Sequence, residues 1–258
     1  MMRGEKMKEI QSTKNQLIKE RKKLHKRKFR ELEARYLLEG FHLVEEALNC
    51  GAQIEELFVD ERGLKEWKIW RNQSIDQVYF VSDEVMKSLS DLPTPQGMIA
   101  VVQKEEPTFD TLLGKWLLLD NVQDPGNVGT MIRTADAAGF SGVILGTGTA
   151  DIYSTKVLRS MQGSQFHLPV VSKDLLEWIP QMKEHGVPVY GTELNTEAVT
   201  VSKISKSENV ALILGNEGQG VSKTILEMTD KNLYIPIYGK AESLNVGVAA
   251  GILMYAFV

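Results

Sequence analysis

Apolar and polar positions divide the chain into two regimes. From residue 112 onward, five short runs are almost wholly apolar: WLLLD (116–120), GVILG (142–146), VPVYGTEL (187–194), VALILG (210–215) and LYIPIYG (233–239). Helix-patterned stretches lie between several of them. Near-continuous apolar strands alternating with helices predict a parallel sheet covered on both faces. The earlier part alternates shorter elements. FHLVEEALNCG (41–51) reads as a helix closed by Gly51, IEELFVD (54–60) as a strand, VYFVSDEVMKSLSDL (78–92) as a strand, a Ser82 cap and a short helix, and GMIAVVQK (97–104) as a strand. Before them, LIKERKKLHKRKFRELEARYLLEG (17–40) reads as a basic helix whose apolar stripe starts only at Phe29, Leu32, Tyr36 and Leu37. The pattern predicts an α/β chain with a basic arm over 1–29, a small α/β domain over 30–103, a polar linker over 104–111 and a larger α/β domain over 112–258.

In parallel sheets, ligands sit beyond the C-terminal ends of the strands, which singles out three polar loops. The first is DNVQDPGNVGTMIRTADAAGF (120–140). Val128, Met131, Ile132 and Ala135 recur at helical spacing and face the sheet, with Thr130, Arg133 and Ala137 on the other side. Asn127 is placed to cap that helix and Gly139 to end it. Arg133 reads either as a surface arginine paired with Asp136 or as a holder of phosphate or ribose. The second loop is LILGNEGQGVS (212–222), in which glycines at 215, 218 and 220 permit a turn whose main chain can approach a flat ligand such as adenine. Glu217 is its only charge, and no Lys-Ser/Thr pair follows the glycines, so it is not a Walker phosphate loop. The third is IPIYGKAESLNVGVAAGILMYAF (235–257), with a strand predicted to end at Ile237 and Ser243 and Asn245 in the loop. The helix that follows is apolar nearly all round, which predicts burial. GTGTAD (146–151) begins like a dinucleotide fingerprint, but Asp151 stands where the third glycine is required.

Composition narrows the function class. The 258 residues are 43% hydrophobic and 25% charged, as in ordinary globular domains. No run of 18 apolar residues exists, so no membrane span is expected, and the charged N-terminus is no secretory signal. The single Cys50 forms no internal disulfide, and His25, His42, His167 and His185 lack metal-ligand spacing. A cytoplasmic protein without a metal is the expectation. The net charge of −4 conceals a segregation: residues 1–35 hold 13 Lys/Arg against 5 Asp/Glu, and the other 223 residues hold 17 against 29. The basic segment reads as a solvated helix or as an electrostatic arm for nucleic acid.

Taken together, the three loops resemble, in order and spacing, the three motifs of the SpoU (or TrmH) branch of the SPOUT superfamily of RNA methyltransferases. Residues 30–103 resemble, more loosely, the small substrate-binding domain that often precedes that catalytic domain. The resemblance implies a deep trefoil knot, a rarity among folds. It also implies S-adenosylmethionine (SAM) bound in the knot, no metal, and a homodimer built on the first and last helices of the catalytic domain. The reaction implied is methylation of a ribose 2′-hydroxyl in RNA, with ribosomal RNA favoured by the N-terminal domain. A tRNA substrate, and a non-enzymatic RNA-binding or ribosome-assembly role, stay as alternatives. Gly215, Ile235 and Leu244 fall where the family contacts SAM, with Leu214, Asn216, Ile237 and Val246 lining the same pocket. Asn127, Arg133, Glu217, Ser243 and Asn245 match the family's polar active-site set. The chain departs at Gly247, where the family commonly has serine, and at Phe257-Val258, where Tyr-Glu is common. The family's arginine is held to act as a base or as a phosphate clamp. A guanidinium keeps its proton at physiological pH, which favours the clamp.

Overall fold

A computed structural model describes residues 7–66, 75 and 77–258. The chain forms two units, Met1–Glu105 with Tyr153–Arg159, and Glu106–Ile152 with Ser160–Val258.

The first unit runs β1 (Lys8–Ile10), α1 (Gln16–Lys23), α2 (Arg27–Glu33), β2 (Arg35–Glu39), α3 (Phe41–Asn49), β3 (Ile54–Val59), α4 (Glu61–Glu66), β4 (Gln77–Val81), α5 (Asp83–Leu89) and β5 (Met98–Gln103). These strands form one sheet in the order β1-β4-β3-β5-β2. Ser82 caps α5 as its sequence suggests, its Oγ accepting from the Val85 amide at 3.3 Å.

The basic segment departs from the expected arm. β1 pairs in parallel with β4, and Ile18 and Leu24 are fully buried in the core of this unit. Segment 8–29 is therefore folded into the α/β unit. Nor does one helix run through 17–40. Ala34 adopts a left-handed φ of 51° that ends α2, and Tyr36 and Leu38 are then buried at a strand's period of two. Some of the basic charge is structural. Arg21 is buried and donates to both carboxylate oxygens of Glu56, at 2.6 and 2.8 Å.

The second unit runs β6 (Lys115–Asp120), α6 (Pro125–Ala137), β7 (Gly142–Leu145), α7 (Thr155–Met161, whose first residues belong to the first unit), β8 (Val170–Ser172), α8 (Leu175–Glu184), β9 (Val189–Thr192), β10 (Val199–Thr200), β11 (Val210–Gly215), α9 (Lys223–Leu226), β12 (Lys231–Tyr234) and α10 (Val246–Tyr255). The strands lie in the order β10-β12-β9-β11-β6-β7-β8, all parallel. Every residue of β7 and β11 is buried, as expected of strands covered on both faces.

The last predicted strand is displaced. β12 spans Lys231–Tyr234, and Ile235–Ile237 lie in the loop beyond it. Burial of α10 is also one-sided: Gly247, Ala250, Leu253 and Met254 are buried, but Val248, Ile252 and Tyr255 are exposed at 53%, 41% and 54%. All-round apolarity predicted a wholly buried helix, and the structure buries only one of its faces. Its pattern did not reveal that Val248, Ile252 and Tyr255 are left about half exposed by the described residues. Among the described residues, no helix is long and apolar enough to cross a membrane.

Candidate active site

The C-terminal ends of β9, β11 and β12 open onto one cleft of about 820 Å³, within the ~300–1,000 Å³ usual for small-molecule sites. Leu214, Gly215, Asn216, Ile235, Ile237, Leu244 and Val246 all line it. Glu217, Ser243 and Asn245 do so as well. Thr192, Glu193 and Leu194 complete the wall after β9. Sequence reasoning passed over that loop, although the rule placing ligands beyond strand ends applies to it equally.

Gly215 ends β11 at the point where the second loop closes. Asn216 and Gly220 exchange two main-chain hydrogen bonds, at 3.0 and 2.9 Å. A Cβ on Gly215 would stand 2.1 Å from the carbonyl carbon of Gly220. Only a glycine allows the two backbones to meet there. Asn216 uses its side chain inside the protein. Its Oδ1 accepts from the Gly218 and Gln219 amides at 2.9 and 3.1 Å, and its Nδ2 donates to the Asn121 carbonyl at 3.0 Å.

The first loop is pinned to the second. Asp120, buried at the end of β6, accepts from the Ser222 amide at 2.7 Å. Asn121 takes a left-handed φ of 56°. GTGTAD acts as a buttress behind this loop. Thr149 Oγ1 donates to the Leu119 carbonyl at 3.0 Å and the Ala150 amide to Val122 at 2.9 Å.

Asn127 is not the cap of α6. Asp124 is, accepting from the Asn127 amide at 2.9 Å with Pro125 in the first helical turn. Asp followed directly by proline is the stronger start signal, and reading it would have placed the cap correctly. The Asn127 side chain is thereby free to join two other loops. Its Nδ2 donates to Glu217 Oε1 at 3.0 Å, and its Oδ1 accepts from Asn245 Nδ2 at 3.0 Å. Asn245 in turn caps α10, its Oδ1 accepting from the Gly247 and Val248 amides at 2.9 and 3.3 Å. Glu217 also accepts from the amides of Asp124 and Gln123 at 3.1 and 3.3 Å. One hydrogen-bonded chain thus ties all three loops together. Burial pushes the Glu217 carboxyl up. The Asn127 amide, its own main-chain N–H and those of Asp124 and Gln123 outweigh that and hold it below the usual carboxylate range.

Arg133 stands apart. It is exposed on α6, does not line the cleft, and makes no hydrogen bond or ion pair with any described residue. The expected pairing with Asp136 is absent because Asp136 Oδ2 meets His167 Nδ1 at 2.8 Å instead. Ser243 likewise has no hydrogen-bond partner among the described residues. A Cβ on Gly247 would meet the capping oxygen Asn245 Oδ1 at 3.2 Å and, where α10 packs on α6, Thr130 Cγ2 at 3.6 Å and Asn127 Oδ1 at 3.7 Å. A side chain there, such as the serine the family resemblance leads one to expect, needs the Asn245 cap to give by a few tenths of an ångström.

Comparison with known proteins gives this arrangement its context. Residues 115–255 match the SpoU rRNA Methylase family. The chain belongs to that family. Residues 15–100 match the MRM3-like substrate binding domain, a match that begins at Asn15, the N-cap of α1, and so includes most of the basic segment that the structure folds into the first unit. The chain is 49% identical over 250 residues to the 23S rRNA (guanosine(2553)-2′-O)-methyltransferase RlmP of Bacillus subtilis, covering 96% of this chain and 98% of that protein. Among solved structures, the AdoMet-bound rRNA methyltransferase from Sinorhizobium meliloti matches with a TM-score of 0.86 and 30% identity, over 97% of both chains. The SpoU methyltransferase AviRb from Streptomyces viridochromogenes, in complex with AdoMet, matches with a TM-score of 0.81 and 26% identity, over 95% and 97% of the two chains.

Proposed function

We propose that this SpoU-family chain is a cytoplasmic, SAM-dependent methyltransferase acting on a ribose 2′-hydroxyl of 23S ribosomal RNA, at the guanosine named for its Bacillus subtilis relative. The observation that carries this is the tie of Glu217, Asn127 and Asn245 across three loops at the mouth of a cleft lined by backbone and apolar side chains. The residues fit SAM. Leu214, Ile235, Ile237, Leu244 and Val246 offer apolar walls to an adenine, and the Gly215 turn offers closely packed main chain. When bound, SAM supplies a methyl group on a positively charged sulfur.

The chain's own part is placement and charge. Holding the 2′-oxygen about 3 Å from the methyl and in line with its bond supplies several kcal/mol. Arg133, charged and without a partner among the described residues, holds an RNA phosphate and stabilises negative charge developing on the ribose oxygen. Ser243 hydrogen-bonds the nucleotide, and the proton leaves to water or phosphate. Glu217, Asn127 and Asn245 keep the loops in register. Asn216 is a positioning residue whose side chain shapes the turn. The knotted threading implied by the family resemblance belongs to this reading. Incubation with tritium-labelled SAM and 23S RNA from a strain lacking the protein, followed by mapping of 2′-O-methyl groups, tests it. Methylation of a single guanosine is expected, and no transfer to this RNA overturns the proposal.

Acid should act through Glu217. Its folded carboxyl titrates below the unfolded one, so its bracing is complete above the ordinary carboxylate range and is lost as pH falls through the depressed folded value. SAM affinity is expected to stay level from neutral pH down to that range and to weaken below it. Calorimetric titrations across an acid pH series check this, with Glu217→Gln expected to lack the fall.

A homodimer is part of the proposal. Val248, Ile252 and Tyr255 recur at helical spacing as an exposed apolar stripe on α10. Ile252→Glu is expected to shift the sedimenting species from dimer to monomer. RNA affinity, in turn, is assigned to the first unit's free cations. Lys14, Lys19, Lys26 and Lys28 are exposed and make no ion pair with any described residue. Deleting residues 1–28 would also remove β1, Ile18 and Leu24 from the fold, so single-charge substitutions are the cleaner probe. Each Lys→Ala that removes a phosphate contact is expected to reduce the slope of log affinity against log salt by about 0.7–0.9, measured by filter binding.

A further inference from the structure

We infer that Tyr238 is a base-stacking residue at the rim of the cleft, receiving the nucleobase of the nucleotide that is methylated. The inference rests on the RNA-methylating reading above and adds to it a residue that reads the substrate.

Tyr238 is 95% exposed, the most exposed large hydrophobic residue described in the chain. It lies in the third loop between Ile237 and Gly239, both of which line the cleft, while Tyr238 itself does not. The ring therefore stands at the edge of the cofactor pocket and is no part of its wall. Among the described residues it makes no hydrogen bond and no ring contact. A tyrosine held this way has no role in packing the fold. Leu194, from the loop after β9, lines the wall of the same cleft and is 79% exposed. A second exposed apolar side chain from a different loop thus belongs to this cleft. Lys240, two residues on, is exposed and unpaired among the described residues, so a cation for a neighbouring phosphate accompanies the ring.

The chemistry of the reaction asks for such a group. A ribose cannot reach a recessed methyl donor while its base remains stacked in folded RNA. Enzymes that act on one nucleotide draw it out and accept the cost of unstacking. An aromatic face replaces the lost stacking, and it does so for any base because each has a π surface. A purine such as guanine offers the largest surface. Lys240 fits the phosphate side of the same nucleotide, since a flexible ammonium makes a point-charge contact without demanding a fixed fork.

The test uses the full-length protein, SAM and an RNA fragment containing the methylated guanosine, with Tyr238→Ala, Tyr238→Phe and Tyr238→Trp. Tyr238→Ala is expected to raise the KM for RNA about 10- to 100-fold, the range that loss of one base stack gives. SAM affinity and the thermal midpoint should be unchanged. Tyr238→Phe and Tyr238→Trp should restore the KM, because the ring and not the hydroxyl is at work. With 2-aminopurine in place of the target base, the wild-type protein should quench its fluorescence and Tyr238→Ala should leave it bright. A Tyr238→Ala variant with wild-type KM and quenching overturns the inference. So does a dimer that falls to monomer in Tyr238→Ala, which would assign the ring to an interface between copies. If the wild-type protein methylates no RNA, the broader reading fails instead, and the wild-type control separates the two.

Discussion

Arg133→Ala is expected to slow methyl transfer to RNA by about 100- to 1,000-fold while leaving SAM affinity unchanged. The asymmetry follows from where the residue sits. Arg133 is exposed on α6 and touches neither the cleft wall nor any hydrogen-bonding partner among the described residues, so its loss removes no support from the fold or the SAM pocket. An exposed guanidinium without a partner among the described residues is available to RNA, and its two parallel N–H groups suit a phosphate. Arg133→Lys keeps the charge and loses the fork, so it should fall between the two. Single-turnover transfer and calorimetric SAM titration on the same preparations separate the steps. Near-normal turnover in Arg133→Ala would remove Arg133 from the chemistry. A parallel loss of SAM affinity would make it structural.

The sequence disclosed more of the site than of the connections that hold it. The buried strands β6, β7 and β11 were legible because continuous apolar runs have few other uses in a chain of this composition. The three loops were legible because strand ends in parallel sheets are where ligands bind. What pattern could not disclose was pairing at long range. Asn127 looked like a cap because asparagine commonly is one; its bonds to Glu217 and Asn245 span 90 and 118 residues of sequence. The basic segment looked detachable because lysines dominate it, yet Ile10, Ile18 and Leu24 suffice to anchor it in a core. The run LYIPIYG was apolar enough for a strand throughout, but Ile235–Ile237 are needed as cleft wall and leave the sheet at Tyr234. β8 and β10, of three and two residues, are too short to carry a readable period.

Gly215→Ala is expected to weaken SAM binding by about 100-fold, equivalent to ~2.7 kcal/mol, and to abolish turnover at ordinary SAM concentrations. The added methyl group would lie 2.1 Å from the carbonyl carbon of Gly220 and 2.2 Å from the Val221 amide nitrogen. Those atoms are main chain, so no rotamer change relieves the overlap. The second loop must move away from β11, breaking the Asn216–Gly220 bridge and displacing the Asn216 contact with Asn121. The amides that give the cleft its polar edge move with it. Overpacking of this kind also costs roughly 1–3 kcal/mol of stability, so Gly215→Ala alone would confound pocket shape with fold. Leu244→Arg resolves the two. Leu244 lines the same cleft but is 38% exposed, and the fold tolerates a charge there while an adenine-sized apolar site does not. Both variants should lose SAM binding in calorimetry, and only Gly215→Ala should lower the thermal midpoint. Normal SAM binding by both would place the methyl donor somewhere other than this cleft.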